Sequence, residues 1–230
     1  DEAAKRLKLR PQDGRRFTAA AVARLAGADR GRANHGSEDP RRFTGSNARW
    51  AQALIGGGAV LREDDWVREG LSLTREVLDR GMDGEGRVCR LVGSTGPCFA
   101  ADQAHLGLAL LAAHRAAGGD YLVRAEGLAG VLLERFSDPR GGFSDVESAL
   151  ADPFCRRFPM RSVLDLPEPS VNGLAALFLG RLGAAVGSPG KRYREAALRT
   201  CAVLGAAAAD LGPYAGAIGL AMEEVMSDAS

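Results

Sequence analysis

Asp65-Trp66-Val67 returns 55 residues later as Asp120-Tyr121-Leu122, and Val77-Leu78-Asp79-Arg80 returns at the same offset as Leu132-Leu133-Glu134-Arg135. The Gly-rich turns that follow, Met82–Gly86 and Ser137–Gly142, also correspond. A third, looser copy runs from Asn172 to Leu204. A period of this length is typical of stacked supersecondary units that bury their apolar faces only against one another.

Each repeat has the pattern of a helical hairpin. The first helix is apolar on nearly every side, which predicts a buried inner helix, and the second has one apolar and one charged side, which predicts an outer helix. Short turns between the two favour antiparallel neighbours. We expect inner helices near 47–61, 102–117 and 171–186, and outer helices near 64–80, 120–136 and 190–209. The pattern predicts an all-α toroid or solenoid.

The chain divides by charge into a lead-in segment, 1–42, and the repeat region, 43–230. The lead-in holds eleven Lys/Arg and six Asp/Glu, a net of +5 against −4 for the rest. We expect short helices at 1–9 and 18–27 and a loop at 28–42, either as a solvated surface or as a surface that binds a partner. Phe17 is the one aromatic residue of this segment, and the lack of further aromatic residues among these charges argues against nucleic-acid binding.

The sequence argues against a membrane span, because apolar runs are interrupted well before the 18 or so residues that a span requires. The chain begins with Asp1, and no signal-peptide pattern follows, so we expect the natural N-terminus to lie upstream. These features favour a soluble protein of a reducing compartment or an organelle interior over a secreted one.

Cysteine and histidine spacing predicts neither a metal site nor a cofactor. Cys89, Cys98, Cys155 and Cys201 form no C-x-x-C pair. Cys89 and Cys98 flank one loop and could meet there. His105 and His114 point to opposite sides of one helix, so they cannot share a metal.

Polar residues at the predicted starts of the inner helices are the candidate site. Asp102 and His105 lie three positions apart on one helix face, either as an acid/base couple or as a helix cap beside a core histidine. Helix N-termini that converge on a cavity also favour anionic or hydroxyl-rich ligands. The candidate cavity or ligand-binding residues are Asn47, Asp102, His105, Asp165, Ser170 and Asn172.

Several motifs resemble the helical-toroid part of the YyaL / spermatogenesis-associated protein 20 family. The resemblance covers most of residues 39–226 and is carried by Asp39-Pro40-Arg41, Ser46-Asn47-Ala48, Pro97–His105, Gly141–Asp145 and Asp165–Asn172. It implies a six-hairpin glycosidase-like (α/α)6 toroid, which that family combines with an N-terminal thioredoxin-like domain. The chain departs from the family pattern at Ser46, Ala101, Gln103 and Val171; at Ala101 the family has the first of two paired aspartates.

Two functions follow from this resemblance. One is a non-catalytic helical scaffold or interaction module, because Ala101 removes one acid. The other is a carbohydrate-active or thioredoxin-linked enzyme with Asp102, Asp145 and Asp165 as the candidate acids, since glycoside hydrolysis uses two carboxylates.

The repeat arithmetic also predicts an open ring. Six hairpins of this size need on the order of 330 residues, whereas the chain provides three hairpins and a final inner-type helix, Pro213–Met226. Terminal repeats of an open array expose apolar flanks. We therefore expect the end helices to pack against other protein, either an N-terminal half of the same polypeptide or another subunit.

Overall fold

The computed structural model describes residues 41–147, 161–166 and 168–227. By contacts the chain divides into two units, Asp1–Arg41 and Arg42–Ser230, and all the features below belong to the second. The helices predicted at 1–9 and 18–27 lie outside the described residues, as does nearly all of the loop predicted at 28–42.

Seven α-helices follow one another in the described part of the repeat region. They are α1 (Thr44–Leu61), α2 (Asp64–Gly81), α3 (Ala100–Ala117), α4 (Tyr121–Val131), α5 (Val171–Val186), α6 (Lys191–Leu211) and α7 (Gly216–Ser227). A π-helical turn, Leu132–Phe136, continues α4. The described residues form isolated β-bridges but no strand. The all-α prediction and its six helix positions are confirmed.

The helices form two layers. The inner helices α1, α3, α5 and α7 pack side by side in that order, and α2, α4 and α6 each pack on the inner helix that precedes them. Helix α3 is buried on almost every side, whereas α2 buries only Gly70, Thr74, Val77 and Gly81. Burial therefore follows the two hydrophobic patterns that distinguish inner from outer helices.

The repeat extends into the loops that follow the outer helices. Met82 bridges to Val88 in the first loop, and Ser137 bridges to Phe143 at the same offset of 55 residues. Glycine occupies one equivalent turn position in both loops, where φ is 76° at Gly86 and 94° at Gly141. These left-handed values favour a residue without a Cβ. The loops are thus structural parts of the repeat.

The last helical stretch is the one described segment that is long and apolar enough to cross a membrane by length and composition. This stretch, Ser188–Ser227, is folded back on itself. A 3₁₀ turn at Gly212–Ala215 separates α6 from α7, and both helices pack against α5. Its apolar character fits a terminal hairpin of the array, with Ile218, Ala221 and Val225 in the core.

Candidate functional site

The N-terminal ends of α1 and α3 meet around a buried carboxylate. Asp102, in the first turn of α3, accepts a hydrogen bond of 3.0 Å from the backbone N–H of Gly45 in α1. The Arg90 guanidinium lies 3.4 Å from both Asp102 oxygens and stacks over the rings of Phe43 and Phe99. Asp102 therefore satisfies a free N–H of the neighbouring helix. The interpretation that it caps its own helix is wrong, because Phe99 holds that position.

His105 lies one turn further along α3, beside the same glycine. A Cβ built on Gly45 would lie 2.6 Å from Asp102 Oδ1 and 3.3 Å from His105 Cδ2, so a glycine is needed for α1 and α3 to approach this closely. The His105 side chain is buried, with 6% of the residue exposed. The positive charges of Arg49 and Arg90 act on it, and Arg49 pairs with Glu168.

Burial shifts the pKa values of this pair in opposite directions. Desolvation raises the pKa of Asp102 to about 6, although Arg90 and the Gly45 N–H oppose the shift. Desolvation also lowers the pKa of His105 to about 4, and Arg49 and Arg90 add to that effect. Burial thus favours the neutral form of both side chains.

We expect these two shifts to oppose each other in the pH dependence of stability. Below pH 6 the folded state holds a proton on Asp102 that the unfolded chain releases near pH 4, so this group lowers stability as pH rises. His105 raises stability over a similar interval, because the unfolded chain binds its proton more tightly. Each contributes about 3 kcal/mol at 1.36 kcal/mol per pKa unit.

Urea unfolding between pH 4 and pH 6.5 would test this expectation. His105→Gln should leave the Asp102 effect unopposed, so the free energy of unfolding should fall with rising pH. Asp102→Asn should give the opposite slope. If the free energy of unfolding changed with pH in the same way in both variants, the opposite pKa shifts of Asp102 and His105 would be contradicted. A loss of stability that is the same at every pH would not affect this comparison.

Asn172 and Gln103 connect their inner helices to the preceding loops. The Asn172 amide accepts from Phe143 N–H and donates to the carbonyls of Phe143 and Ser162. The Gln103 amide accepts from Val88 N–H and donates to the carbonyls of Val88 and Phe99. Val88 and Phe143 are equivalent in the 55-residue repeat. Each amide therefore pairs with both backbone groups of one equivalent loop residue, as a neighbouring strand would.

Asp165 and Ser170 form a second capping arrangement, at α5 and α7. Asp165 accepts from Ser170 N–H at 2.6 Å through one oxygen and from Ala217 N–H in α7 at 2.7 Å through the other. Ser170 is the N-cap of α5 and accepts from Gly173 N–H. These bonds satisfy N–H groups in the first turns of both helices.

Asn47 is separate from these arrangements. Its side-chain amide donates to the Phe43 carbonyl one turn back, at 2.8 Å, and the residue is half-buried. Thr44, the first residue of α1, donates its hydroxyl to the Cys89 carbonyl. The structure thus gives Asp102, Asp165, Ser170 and Asn172 contacts with the chain's own backbone.

Three further polar residues belong to the site. Arg90 pairs with Asp102, and Gln103 connects the start of α3 to the loop before it. The backbone carbonyl of Asp145 accepts a hydrogen bond from Ala100 N–H, which places Asp145 at the start of α3. Its buried Oδ1 has no hydrogen-bond partner, and desolvation raises the pKa of this carboxyl. The repeat offset relates Arg90 to Asp145, which is a sequence signal for their common placement.

One cluster of possible metal ligands occurs in the described part of the chain. The ligand atoms of Asp83, Cys89 and Cys98 lie within 4.8 Å of one another. A cavity of about 430 Å³ lies near the C-terminal ends of α3 and α5, lined by His114, Arg115, Gly180, Arg181, Ala184, Ala185 and Glu224. The cavity lies away from the inner-helix N-termini. The cysteines lie next to them, because the Cys89 carbonyl accepts the Thr44 hydroxyl at the start of α1 and Cys98 precedes α3 by two residues.

Inner and outer helices arranged in successive hairpins are typical of α/α toroids, and the described helices have the fold of part of a six-hairpin glycosidase-like toroid. Neither the family models nor the curated proteins that were compared match the sequence. Solved structures do match the chain, but their sequence identity to it is so low that the match shows the fold alone.

One similar structure is a selenomethionine derivative of a GH76 α-mannanase from Bacteroides thetaiotaomicron. It has a TM-score of 0.66 and 14% identity, covering 85% of this chain and 55% of that chain. Another is an inactive variant of the α-1,6-mannanase GH76A of Salegentibacter sp., with two consecutive aspartates replaced by asparagine, in complex with α-1,6-mannotriose. It has a TM-score of 0.59 and 11% identity, covering 84% of this chain and 56% of that chain. The chain thus spans about half the length of these structures.

Proposed function

We propose that this chain is a non-catalytic helical-toroid module that acts through its shape and its surfaces. The observation that carries the proposal is the buried, backbone-bonded state of three polar side chains at the inner-helix ends, those of Asp102, Ser170 and Asn172. Asp102 and Asn172 are 0% exposed, and their hydrogen bonds hold adjacent elements together. A catalytic carboxylate has to reach the substrate, so groups committed to caps and loop pairing favour a structural role.

The sequence supports the same proposal through its acidic pairs. The inactive mannanase variant carries replacements at two consecutive aspartates. In this chain the one pair of consecutive aspartates is Asp64-Asp65. That pair begins the outer helix α2 and is exposed. At the start of the inner helix α3, Ala101 precedes Asp102.

The proposed partner is another protein that packs on the end of the helical array. Helix α7 is an inner-type helix, and no outer helix follows it among the described residues. Large apolar side chains remain exposed on α6 and α7, with an exposed fraction of 43% for both Val203 and Leu220. Sedimentation of the 230-residue chain should reveal self-association or instability that Leu220→Glu reduces. A stable monomer indifferent to this change would contradict the packing proposal.

A carbohydrate-active enzyme is the second candidate. Asp102 and Asp145 both have raised pKa values, and a carboxyl that retains its proton is suited to general acid catalysis. The matched structures include an α-1,6-mannanase, so α-1,6-linked mannose is the first substrate class to consider. The relationship to the YyaL / spermatogenesis-associated protein 20 family, and with it a thioredoxin-linked role, is also a proposal.

A hydrolysis assay would separate these candidates. We expect the chain to release no reducing ends from α-1,6-mannan or α-1,6-mannotriose above the level of a heat-denatured control. Asp102→Asn and Asp145→Asn should then change nothing. Release that disappears in either variant, while its circular dichroism stays like that of the wild type, would overturn the non-catalytic proposal.

A further inference from the structure

The Cys89 and Cys98 thiols face each other across the loop between α2 and α3. Their sulfur atoms are 3.3 Å apart, and both residues are 2% exposed. The backbone holds them in this arrangement, because Arg90 N–H donates to the Pro97 carbonyl at 3.1 Å and so places the two flanking cysteines opposite each other. A disulfide has an S–S distance near 2.04 Å, so bond formation requires the sulfurs to approach by about 1.3 Å.

We propose that Cys89 and Cys98 form an intrachain disulfide when the protein folds in the presence of a low-molecular-weight disulfide. One thiolate attacks glutathione disulfide and releases one glutathione, leaving a mixed disulfide. The second thiolate then displaces the remaining glutathione. Overall, two cysteine thiols are oxidised to one disulfide, and one glutathione disulfide is reduced to two glutathione thiols.

The timing follows from burial. Only a thiolate attacks a disulfide, and in the folded chain burial raises the pKa of the Cys98 thiol to about 12. Both sulfurs are also shielded from a reagent as large as glutathione disulfide. The exchange therefore belongs to folding, before the loop closes over the two thiols.

A metal ion fits the same place less well. Asp83, the third possible ligand, already accepts hydrogen bonds from the backbone N–H groups of Glu85 and Arg87 and from Arg87 Nε. Arg87 in turn pairs with buried Glu147. A zinc ion would have to displace Arg87 and would still lack a fourth ligand among the described residues, whereas structural zinc sites have four.

The disulfide would stabilise the start of α1 through the loop it closes. Within that loop, Arg90 contacts Asp102, and its carbonyl accepts Thr44 N–H. The Cys89 carbonyl accepts the Thr44 hydroxyl. A cross-link between residues 89 and 98 therefore restricts the segment that holds the N-terminal ends of α1 and α3 together.

The full 230-residue chain should be refolded with reduced glutathione alone or with a reduced/oxidised glutathione mixture, alkylated under denaturing conditions and analysed by peptide mass spectrometry. We expect the mixture to yield a linked Cys89–Cys98 peptide two hydrogens lighter than the two thiols. The oxidised protein should melt about 5 °C or more above the reduced protein. Cys98→Ser should abolish the linkage and the shift, and the matched control Cys201→Ser should retain both.

Two results would overturn the proposal. One is full alkylation of both cysteines after oxidative refolding, or linkage of either one to Cys155 or Cys201. The other is one equivalent of zinc bound by the reduced protein with protection of both thiols, reversed by a chelator. If Cys98→Ser folds poorly, peptide mass spectrometry of the wild-type protein still shows whether Cys89 and Cys98 are linked.

Discussion

Replacing Asn172 with aspartate is expected to lower the free energy of unfolding by about 3 kcal/mol or more at pH 7, because it leaves a buried charge without its partners. The change preserves side-chain shape and the acceptor for Phe143 N–H. It converts the amide nitrogen, which donates to the carbonyls of Phe143 and Ser162 at 3.1 and 2.9 Å, into an oxygen that repels both. Asn172 is fully buried, so solvent cannot relieve this repulsion.

The pH dependence of the Asn172→Asp variant identifies the cause. A protonated carboxyl can donate to one of the two carbonyls, so part of the lost stability should return at pH 4.5 in urea unfolding experiments. The matched control is Asn47→Asp, which places a carboxylate near the N-terminus of α1 on a half-buried side chain with one hydrogen bond. That change should cost less than about 1 kcal/mol, since the helix dipole favours the charge. Equal losses of unfolding free energy in Asn172→Asp and Asn47→Asp would contradict the explanation that the buried charge at residue 172 causes the loss.

The same Gly→Ala substitution should have opposite effects at Gly107 and Gly127. A Cβ on Gly107 in α3 would lie 2.4 Å from two ring atoms of Phe178 in α5, and Phe178 is fully buried. We expect Gly107→Ala to lower the free energy of unfolding by about 2–3 kcal/mol through overpacking. A Cβ on exposed Gly127 in α4 would meet nothing within 4 Å. Gly127→Ala should therefore raise stability by up to about 1 kcal/mol through helix propensity.

A double-mutant cycle would show that the contact itself causes the loss. Phe178→Leu should recover part of the stability of Gly107→Ala, because it removes the ring atoms that the new methyl group meets. The same Phe178→Leu change in the Gly127→Ala background should be additive. Additivity in both backgrounds would mean that the closeness of α3 and α5 at Gly107 does not determine the outcome.

The two predictions concern the same structural feature, the packing of inner helices around shared glycines and amides. Gly107 allows α3 to contact α5, and Gly45 allows α1 to contact α3. Gln103 and Asn172 then connect these helices to the loops that precede them. These interactions explain why polar groups at the inner-helix ends are buried, and they underlie the proposal of a structural rather than catalytic role.

The layers and helix positions were predictable because their signals are local. The 55-residue period, the apolar character of α3 and the one-sided pattern of α2 each lie within a single segment, and hydrophobic periodicity reports directly on burial. The N-cap Ser170 was also predictable, since its partner Gly173 is three residues away. The period also predicted that the two Gly-rich turns correspond, and the structure shows an equivalent bridge in each loop, at Val88 and at Phe143.

The partners of the site residues depended on tertiary structure. Asp102 is a plausible cap of its own helix by sequence, yet it bonds Gly45, 57 residues earlier, because α1 and α3 stack with their N-termini together. Cys89 and Cys98 could meet according to their spacing, but the Arg90–Pro97 hydrogen bond is what places their sulfurs 3.3 Å apart. Helical periodicity defines which face of a segment is buried. The atoms that a buried face contacts depend on how separate hairpins pack against each other. That packing is determined by residues in distant parts of the chain.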